Sequence, residues 1–541
     1  MAAAGCRTNS RHRARRNSTS TRGSATRPPC SPRRSPDRSS SEWLTVGTRV
    51  ISETPVRGNP PARAARSANH YDAGLMSDIA FLCHPTVGHL NTLLATALRM
   101  RAEGHRTRFF IPGAPSLGFR LKPDILNNVT DVPAMVERAG LPLERLRPAL
   151  GVIFHAIRLA RSSGYAESRI ALNLFTAGAE ATARDILRRL ERQPADVLVA
   201  DFAFFPAHLA AEKLGLPWVA VYHSGLPFRG PGIPPWGSGL PIGTPDGPEL
   251  HRAEVAEAEL LVQLARRMDQ PRRALGLVRG LPDVLRTPAS PWLNLVMSHE
   301  AIEAPRTGLG SGTFYVGPCF STRRGTDTEG FPFDKLRAEA FKVYVSLGTV
   351  FNDKPEVFRT LLRGLDAPGL QVVVSAGAAY PALASKPLPS HVLLFRRVPQ
   401  VDLLPRMDLV ISHGGNNSTN ETLAAGKPLL VVPVGGEQHD NARRVEYLGA
   451  GLFQSIQGMT EDSIRRAVAR LREEPGFRAK AEALRQQLEL TEGTSTASAL
   501  ISLLARRREP LRLPDGAPRT ITREALASLL ASLEGTALSV A

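Results

Sequence analysis

"HGGNNSTNETLAAGKPLLVVPVGGEQHDNARRV" occupies His413 to Val445. The apolar run LVIS (Leu409 to Ser412) precedes it, and a second run, LLVVP (Leu429 to Pro433), lies inside it. Around these runs stand a His, paired glycines, paired asparagines, a Ser, a Glu and then a Glu-Gln pair. Short apolar runs bounded by glycines read as buried strands of a parallel sheet. The polar groups therefore gather at strand ends, where an open α/β sheet holds its ligand.

Outward from this stretch the alternation repeats. KVYVSLGT (Lys342 to Thr349), LQVVVSAG, HVLLFRRVPQ and MDLVISHGG precede it in series. Near the other end, DIAFLC begins at Asp78 and the turn HPTVG follows. HLNTLLATALRMRAEG then has apolar residues at helical spacing and stops at Gly104, a residue suited to a helix C-terminus. With RTRFFI after it, this is one βαβ unit and hence parallel pairing. ADVLVAD (Ala195 to Asp201), a helix through Lys213, and LPWVAVYH repeat the pattern. Residues 225–290 read as a Pro/Gly-rich loop and a charged helix, and STRRGTDTEG (Ser321 to Gly330) as a linker. The expectation is an α/β fold of two tandem doubly wound domains, 76–320 and 325–505, with a tail at 506–541 holding a weak helix at Thr522 to Glu534.

Composition narrows the class. The chain has 541 residues, is 42% hydrophobic and carries a net charge of +18. Residues 1–75 hold fourteen Arg, no Lys and four acids, which leaves +8 for the remainder. That head is Ser- and Pro-rich, without apolar periodicity, and reads as disordered. It fits an extension upstream of a start at Met76; a nucleic-acid or membrane arm and a transit-type peptide are the other readings. No apolar run is long enough for a membrane helix. Cys6, Cys30, Cys83 and Cys319 form no CxxC or Cys/His cluster, so neither a disulfide framework nor a zinc site is expected, and a reducing cytoplasm fits.

A strand, a Gly-rich turn and a helix N-terminus make an anion site, since free N–H groups and the helix dipole point at the ligand. Gly414 and Gly415 let the backbone approach a diphosphate, and His413, Asn417 and Ser418 add donors. Ser418 and Glu421 also satisfy a bare capping box, but that explains neither His413, nor the glycines, nor Glu437 and Gln438. An oxyanion loop of the HGG kind would need a GxSxG elbow, which is absent.

"RVPQVDLLPRMDLVISHGGNNSTNETLAAGKPLLVVPVGGEQHDNARRV" (Arg397 to Val445) strongly resembles the nucleotide-sugar-binding signature of the UDP-glycosyltransferase superfamily, and within it the bacterial macrolide-type enzymes. The resemblance covers about 76–505. It implies two facing Rossmann-like domains (the GT-B fold), with the acceptor on the first and the sugar nucleotide on the second. By position it implies that Arg397 stands where an aromatic residue often stacks on the base. Val398 offers its backbone to the base edge, and Gln400 lies near the ribose. His413, Gly415, Asn417 and Ser418 match diphosphate positions, and Glu421 the residue that accepts ribose hydroxyls. Glu437 and Gln438 match a pair, usually Asp-Gln, that binds the donor sugar. Gly348 and Thr349 match the loop over the phosphates.

In "HPTVGHLNT", His89 matches the family's catalytic base, usually in Gly-His-hydrophobic-Asn-Pro, with Thr92 in place of the Pro. Asp201 matches the carboxylate that supports it, though alone it also reads as a turn or N-cap residue. His223 ends its strand facing the cleft, with no role assigned. No Asp-x-Asp motif stands at a strand end, and helix dipole and hydrogen bonds would stabilise the leaving diphosphate, so neither metal nor cofactor is expected. The implied activity is inverting transfer from a nucleoside-diphosphate sugar, UDP-linked by resemblance, to a hydroxyl of a lipophilic acceptor. Phe204, Phe205, Phe228 and Trp236 are candidate acceptor contacts. The partners expected are donor and acceptor alone, without nucleic acid and with at most peripheral membrane contact. Rival readings are a lipid-intermediate glycosyltransferase or nucleotide-sugar epimerase on the same fold, and a catalytically silent accessory protein.

Overall fold

Thirteen strands among the described residues form two sheets. The computed structural model describes residues 76–113, 125–147, 173, 175–223, 225–277, 285–320, 330–348 and 352–535, with backbone alone for 125–131. These residues fall in one unit. The first sheet comprises β1 (Asp78–Leu82), β2 (Arg106–Pro112), β3 (Leu143–Leu146), β4 (Val197–Asp201), β5 (Trp218–Tyr222), β6 (Leu293–Val296) and β7 (Thr313–Tyr315). Its order is β3-β2-β1-β4-β5-β6-β7. The second comprises β8 (Phe341–Ser346), β9 (Leu370–Ser375), β10 (Val392–Phe395), β11 (Leu409–Ser412), β12 (Leu429–Val431) and β13 (Gly451–Phe453), in the order β10-β9-β8-β11-β12-β13. Both sheets are parallel throughout.

Each sheet reverses its order at one place: between β1 and β4 in the first, between β8 and β11 in the second. Such a switch point opens a crevice beyond the strand ends, because the flanking helices leave on opposite faces. The residues of β4 and β5 are all buried, as a sheet covered on both faces requires.

The domain limit expected at 505 does not hold. Helix Gly493–Arg507 contributes Ala497, Leu500, Ile501, Leu503 and Leu504 to the cluster containing Ile79 and Phe81 of β1. None of its residues enters the second sheet's main cluster. It lies beside helix Val87–Ala102: Ser498 Oγ donates to Glu103, and Ser502 Oγ pairs with His105 Nε2 at 2.9 Å. Each of those buried Leu and Ile side chains is worth about 1.5–3 kcal/mol, which explains why the chain crosses back. The tail continues there too. The Ile521 N–H donates to the Tyr315 carbonyl at 2.9 Å on the edge strand β7, and Leu529 and Leu533 enter the same core. Of the linker expected at Ser321 to Gly330, residues 321–329 lie outside the described residues.

Candidate active site

At the first switch point, β1 leads through a turn into helix Val87–Ala102, whose third residue is His89. Neighbouring β4 ends at Asp201, which is fully buried. His89 Nδ1 pairs with Asp201 Oδ2. Since a carboxylate only accepts, Nδ1 carries the proton and Nε2 is left with a lone pair. Asp201 Oδ1 accepts from the Ala203 N–H at 2.8 Å, a turn closed by its own side chain. The helix beyond begins only at Phe205, so Asp201 is not its N-cap.

A second imidazole, which the sequence left without a role, meets the same oxygen. His223 follows β5, and its Nε2 lies 2.6 Å from Asp201 Oδ2. Its Nδ1 lies 2.6 Å from Thr92 Oγ1. Thr92 thus fills the family's proline position with a hydroxyl that has a partner. The signal was available: "WVAVYH" ends a strand adjacent to β4 in the sheet order. His89, Asp201 and His223 present three ligand atoms close together, but the 2.6 Å His223–Asp201 separation is a hydrogen bond. Two ligands on one zinc ion would stand roughly 3 Å or more apart.

Burial works against the His89 imidazolium, but the Asp201 charge and hydrogen bond, with Glu437 adding to them, raise its pKa above the ordinary 6.5. Burial also opposes the Asp201 carboxylate. The His89 charge and the hydrogen bonds from both imidazoles outweigh it and hold Asp201 well below 3.8. His84 differs: burial pushes it down to about 4, and its Nε2 meets the Ala203 carbonyl at 3.1 Å.

The second switch point carries the glycine-rich loops. Ser412 ends β11, and its Oγ accepts from the Gly414 N–H at 3.1 Å. Ser346 ends β8 and does the same for the Gly348 N–H at 3.3 Å. The His413 ring lies between the two loops, so that a Cβ on Gly348 would overlap it and one on Gly415 would approach to 2.6 Å. His413 Nδ1 is buried without a partner, and burial pushes the ring down to about 4. It is therefore a neutral imidazole with unused hydrogen-bonding capacity.

Helix Asn416–Ala424 starts after Gly415, with no side chain capping it. Its first intrahelical bond is from the Thr419 N–H to the Gly415 carbonyl. The N–H groups ahead of it have no intrahelical acceptor. The capping-box reading fails because Ser418 lies inside the helix. Glu421 instead accepts from Gln400 Nε2 at 2.7 Å, with Ser418 Oγ 3.4 Å from the same nitrogen and Tyr344 O–H donating to Gln400 Oε1 at 3.0 Å. The fold thus gathers Gln400, Ser418 and Glu421 from two segments. Val398 is buried beside them, while Arg397 is exposed.

Two expected donor contacts are engaged with the protein itself. Gln438 Oε1 accepts from the Val434 and Gly435 N–H groups at 2.9 and 3.1 Å, which shapes the loop carrying Glu437. Asn417 Nδ2 donates to the Gly88 carbonyl at 2.8 Å, one residue before His89. Thr349 lies outside the described residues. The sequence also missed Asn441, whose Nδ2 donates to the Gly414 carbonyl at 2.7 Å, and Asn352, whose Nδ2 donates to the Gly348 carbonyl at 2.6 Å.

The two halves meet around these residues. Asn420 Nδ2 donates to the His223 carbonyl at 3.2 Å. Asp440 accepts from the Gly237 and Gly239 N–H groups at 2.5 and 2.9 Å. Arg444 and Glu303, both buried, form an ion pair at 2.5 Å. The acceptor contacts expected at Phe204, Phe205 and Phe228 are corrected: all three are buried in the first core, as apolar residues on covered elements are. Trp236 is only partly buried, in a groove with Ile233 and Leu240 that reaches Asp440 and Arg443.

Comparison with known proteins bears on the family and the fold. Residues 365–499 match the family model for the C-terminal domain of erythromycin biosynthesis protein CIII-like proteins. The 4'-demethylrebeccamycin synthase of Lentzea aerocolonigenes is 30% identical over 418 residues, covering 74% of this chain and 93% of that protein. The demethyllactenocin mycarosyltransferase of Streptomyces fradiae is 26% identical, covering 77% and 87%. A spinosyn rhamnosyltransferase solved with thymidine diphosphate superposes with a TM-score of 0.57 at 20% identity, covering 79% of this chain and 99% of that one, and so shares the fold. The chain belongs to the bacterial macrolide-type UDP-glycosyltransferases, and it is a glycosyltransferase of the GT-B fold.

Proposed function

We propose that this glycosyltransferase inverts configuration, moving a sugar from a nucleoside diphosphate to a hydroxyl of a lipophilic natural product. The observation that carries the reading is the His89–Asp201 pair at one switch point, with Glu437 of the other half near enough to act on His89 electrostatically. His89 Nε2 takes the acceptor proton, and Asp201 stabilises the resulting imidazolium. The acceptor oxygen attacks the anomeric carbon from the side opposite the leaving diphosphate. The uncapped N-terminus of helix Asn416–Ala424 and the neutral His413 receive the charge that develops on that diphosphate. In this reading no metal or cofactor takes part. Gln400 and Glu421 hold the ribose, Arg397 faces the base, and Glu437 the sugar. The sequence resemblance favours UDP and the structural relative's thymidine diphosphate favours TDP, so the nucleotide is decided by assay.

The groove at Ile233, Trp236 and Leu240 supports an apolar acceptor, as do relatives named for 4'-demethylrebeccamycin and demethyllactenocin. We place the protein in the cytoplasm, with peripheral membrane contact at most. No helix among the described residues is long and apolar enough to cross a membrane.

The test is release of nucleoside diphosphate from UDP-glucose and dTDP-glucose with a panel of lipophilic phenols and alcohols, wild type beside His89→Ala. Acceptor-dependent release that falls at least about 100-fold in the variant supports the base. Release independent of acceptor, or a variant as active as wild type, rejects it.

A further inference from the structure

We propose that His223 is a positioning residue: locked by Thr92, it fixes the Asp201 carboxylate and takes a share of its negative charge, and so tunes how strong a base His89 is. The proposal rests on reading His89 as the base.

Three bonds hold Asp201. Oδ1 is taken by the Ala203 N–H, and Oδ2 by both imidazoles. A carboxylate oxygen has room for two donors, so neither imidazole displaces the other. His223 and Thr92 are buried, at 5% and 3% exposure, with no solvent to satisfy them. The Thr92 O–H donates to His223 Nδ1, which leaves the proton on Nε2, the nitrogen facing Asp201. A chain of this kind polarises along its length: the donor behind strengthens the donor in front. His223 is held from the other half as well, since Asn420 Nδ2 donates to its carbonyl. Helix Asn416–Ala424, which receives the diphosphate in the proposed reaction, is thereby tied to the residue that orients the base.

The other titratable groups around the cluster do not compete near neutral pH. Burial holds His84 at about 4 and His208 at about 3, and it pushes the Cys83 thiol and the Tyr222 phenol up. Glu437 faces His89 from the second half and adds to the carboxylate's effect. The division of Asp201 between two imidazoles is therefore the variable that a substitution can change.

The experiment is NMR titration of the imidazoles in full-length chain labelled at histidine Cε1, with the His89 signal assigned by its loss in His89→Gln. It needs no substrate. In His223→Leu the whole of Asp201 Oδ2 serves His89, and the His89 midpoint is expected to rise by roughly 0.5–1 pH unit. His223→Gln, whose amide reaches the same oxygen, is expected to restore at least half of the shift. Thr92→Val, the milder variant should His223→Leu not fold, shifts His89 the same way by less. An unchanged His89 midpoint in both His223→Leu and Thr92→Val overturns the proposal. Failure of the base reading shows separately, as retained turnover in His89→Ala.

Discussion

Asp201→Asn changes one atom, and the structure sets its consequence. The native carboxylate accepts three hydrogen bonds and donates none. An asparagine has two ways to sit. With its oxygen toward the imidazoles, its NH2 faces the Ala203 N–H, and a buried donor loses its acceptor at a cost of about 1–3 kcal/mol. With its NH2 toward the imidazoles, both rings must present lone pairs. His89 then carries its proton on Nε2, facing the acceptor, and has no lone pair with which to act. In either orientation the charge that stabilises the imidazolium is gone. The substitution should lower kcat/KM by about 10³–10⁴-fold, the range for a base deprived of its orienting carboxylate, which is about 4–5.5 kcal/mol. The measurement is acceptor-dependent diphosphate release against donor concentration, with folding checked by near-UV circular dichroism. The chemistry depends on charge, so KM for the donor should change little. A variant within about fivefold of wild type would refute the assignment. The pH profile supplies the sign. His89 acts as a base only when neutral and its pKa lies above 6.5, so kcat/KM should rise with pH through that raised value, and this limb should vanish in Asp201→Asn.

Gly348→Ala forces a residue with φ +75° to carry a Cβ that overlaps the His413 ring. The KM for the sugar nucleotide should rise about tenfold or more, with some fall in melting temperature from the strain; equal KM would count against the phosphate-loop placement. Arg444→Met strands the buried Glu303 carboxylate with the Gly225 N–H and the more distant Arg306. A loss of about 3–5 kcal/mol is expected by denaturant titration, and Glu303→Leu in the same chain should recover at least half of it. Asp440 tests linkage. Burial raises it to about 6, above its ordinary 3.8, against the pull of two backbone N–H groups. The folded chain therefore binds this proton more tightly than the unfolded one. Its contribution is fully present below about 3.8 and is lost as pH rises through about 6. Asp440→Asn should flatten that part of the stability profile between about pH 4 and 6, measured by thermal melts in matched buffers.

Local chemistry made much of this legible in one dimension. Short apolar runs and helical spacing determine two α/β halves, because burial on both faces of a parallel sheet demands such runs. The glycines around His413 are the legible signal of these loops: Gly348, at positive φ, and Gly415 lie where a Cβ would run into that ring. His89 and Asp201 are legible through their resemblance to the family's His and supporting Asp; that β1 leads to one and β4 ends at the other, side by side, is the structure's addition. Tertiary structure decided the rest. Nothing local in helix Gly493–Arg507 says which sheet it covers; the apolar face beside helix Val87–Ala102 settles that. Nothing local says that Gln438 shapes its own loop, or that Phe204 is core. Thr92 and His223 lie 131 residues apart, and the partner of each is a single polar atom. Such an atom has no periodicity and only acquires meaning once β1, β4 and β5 stand side by side and close water out from Asp201.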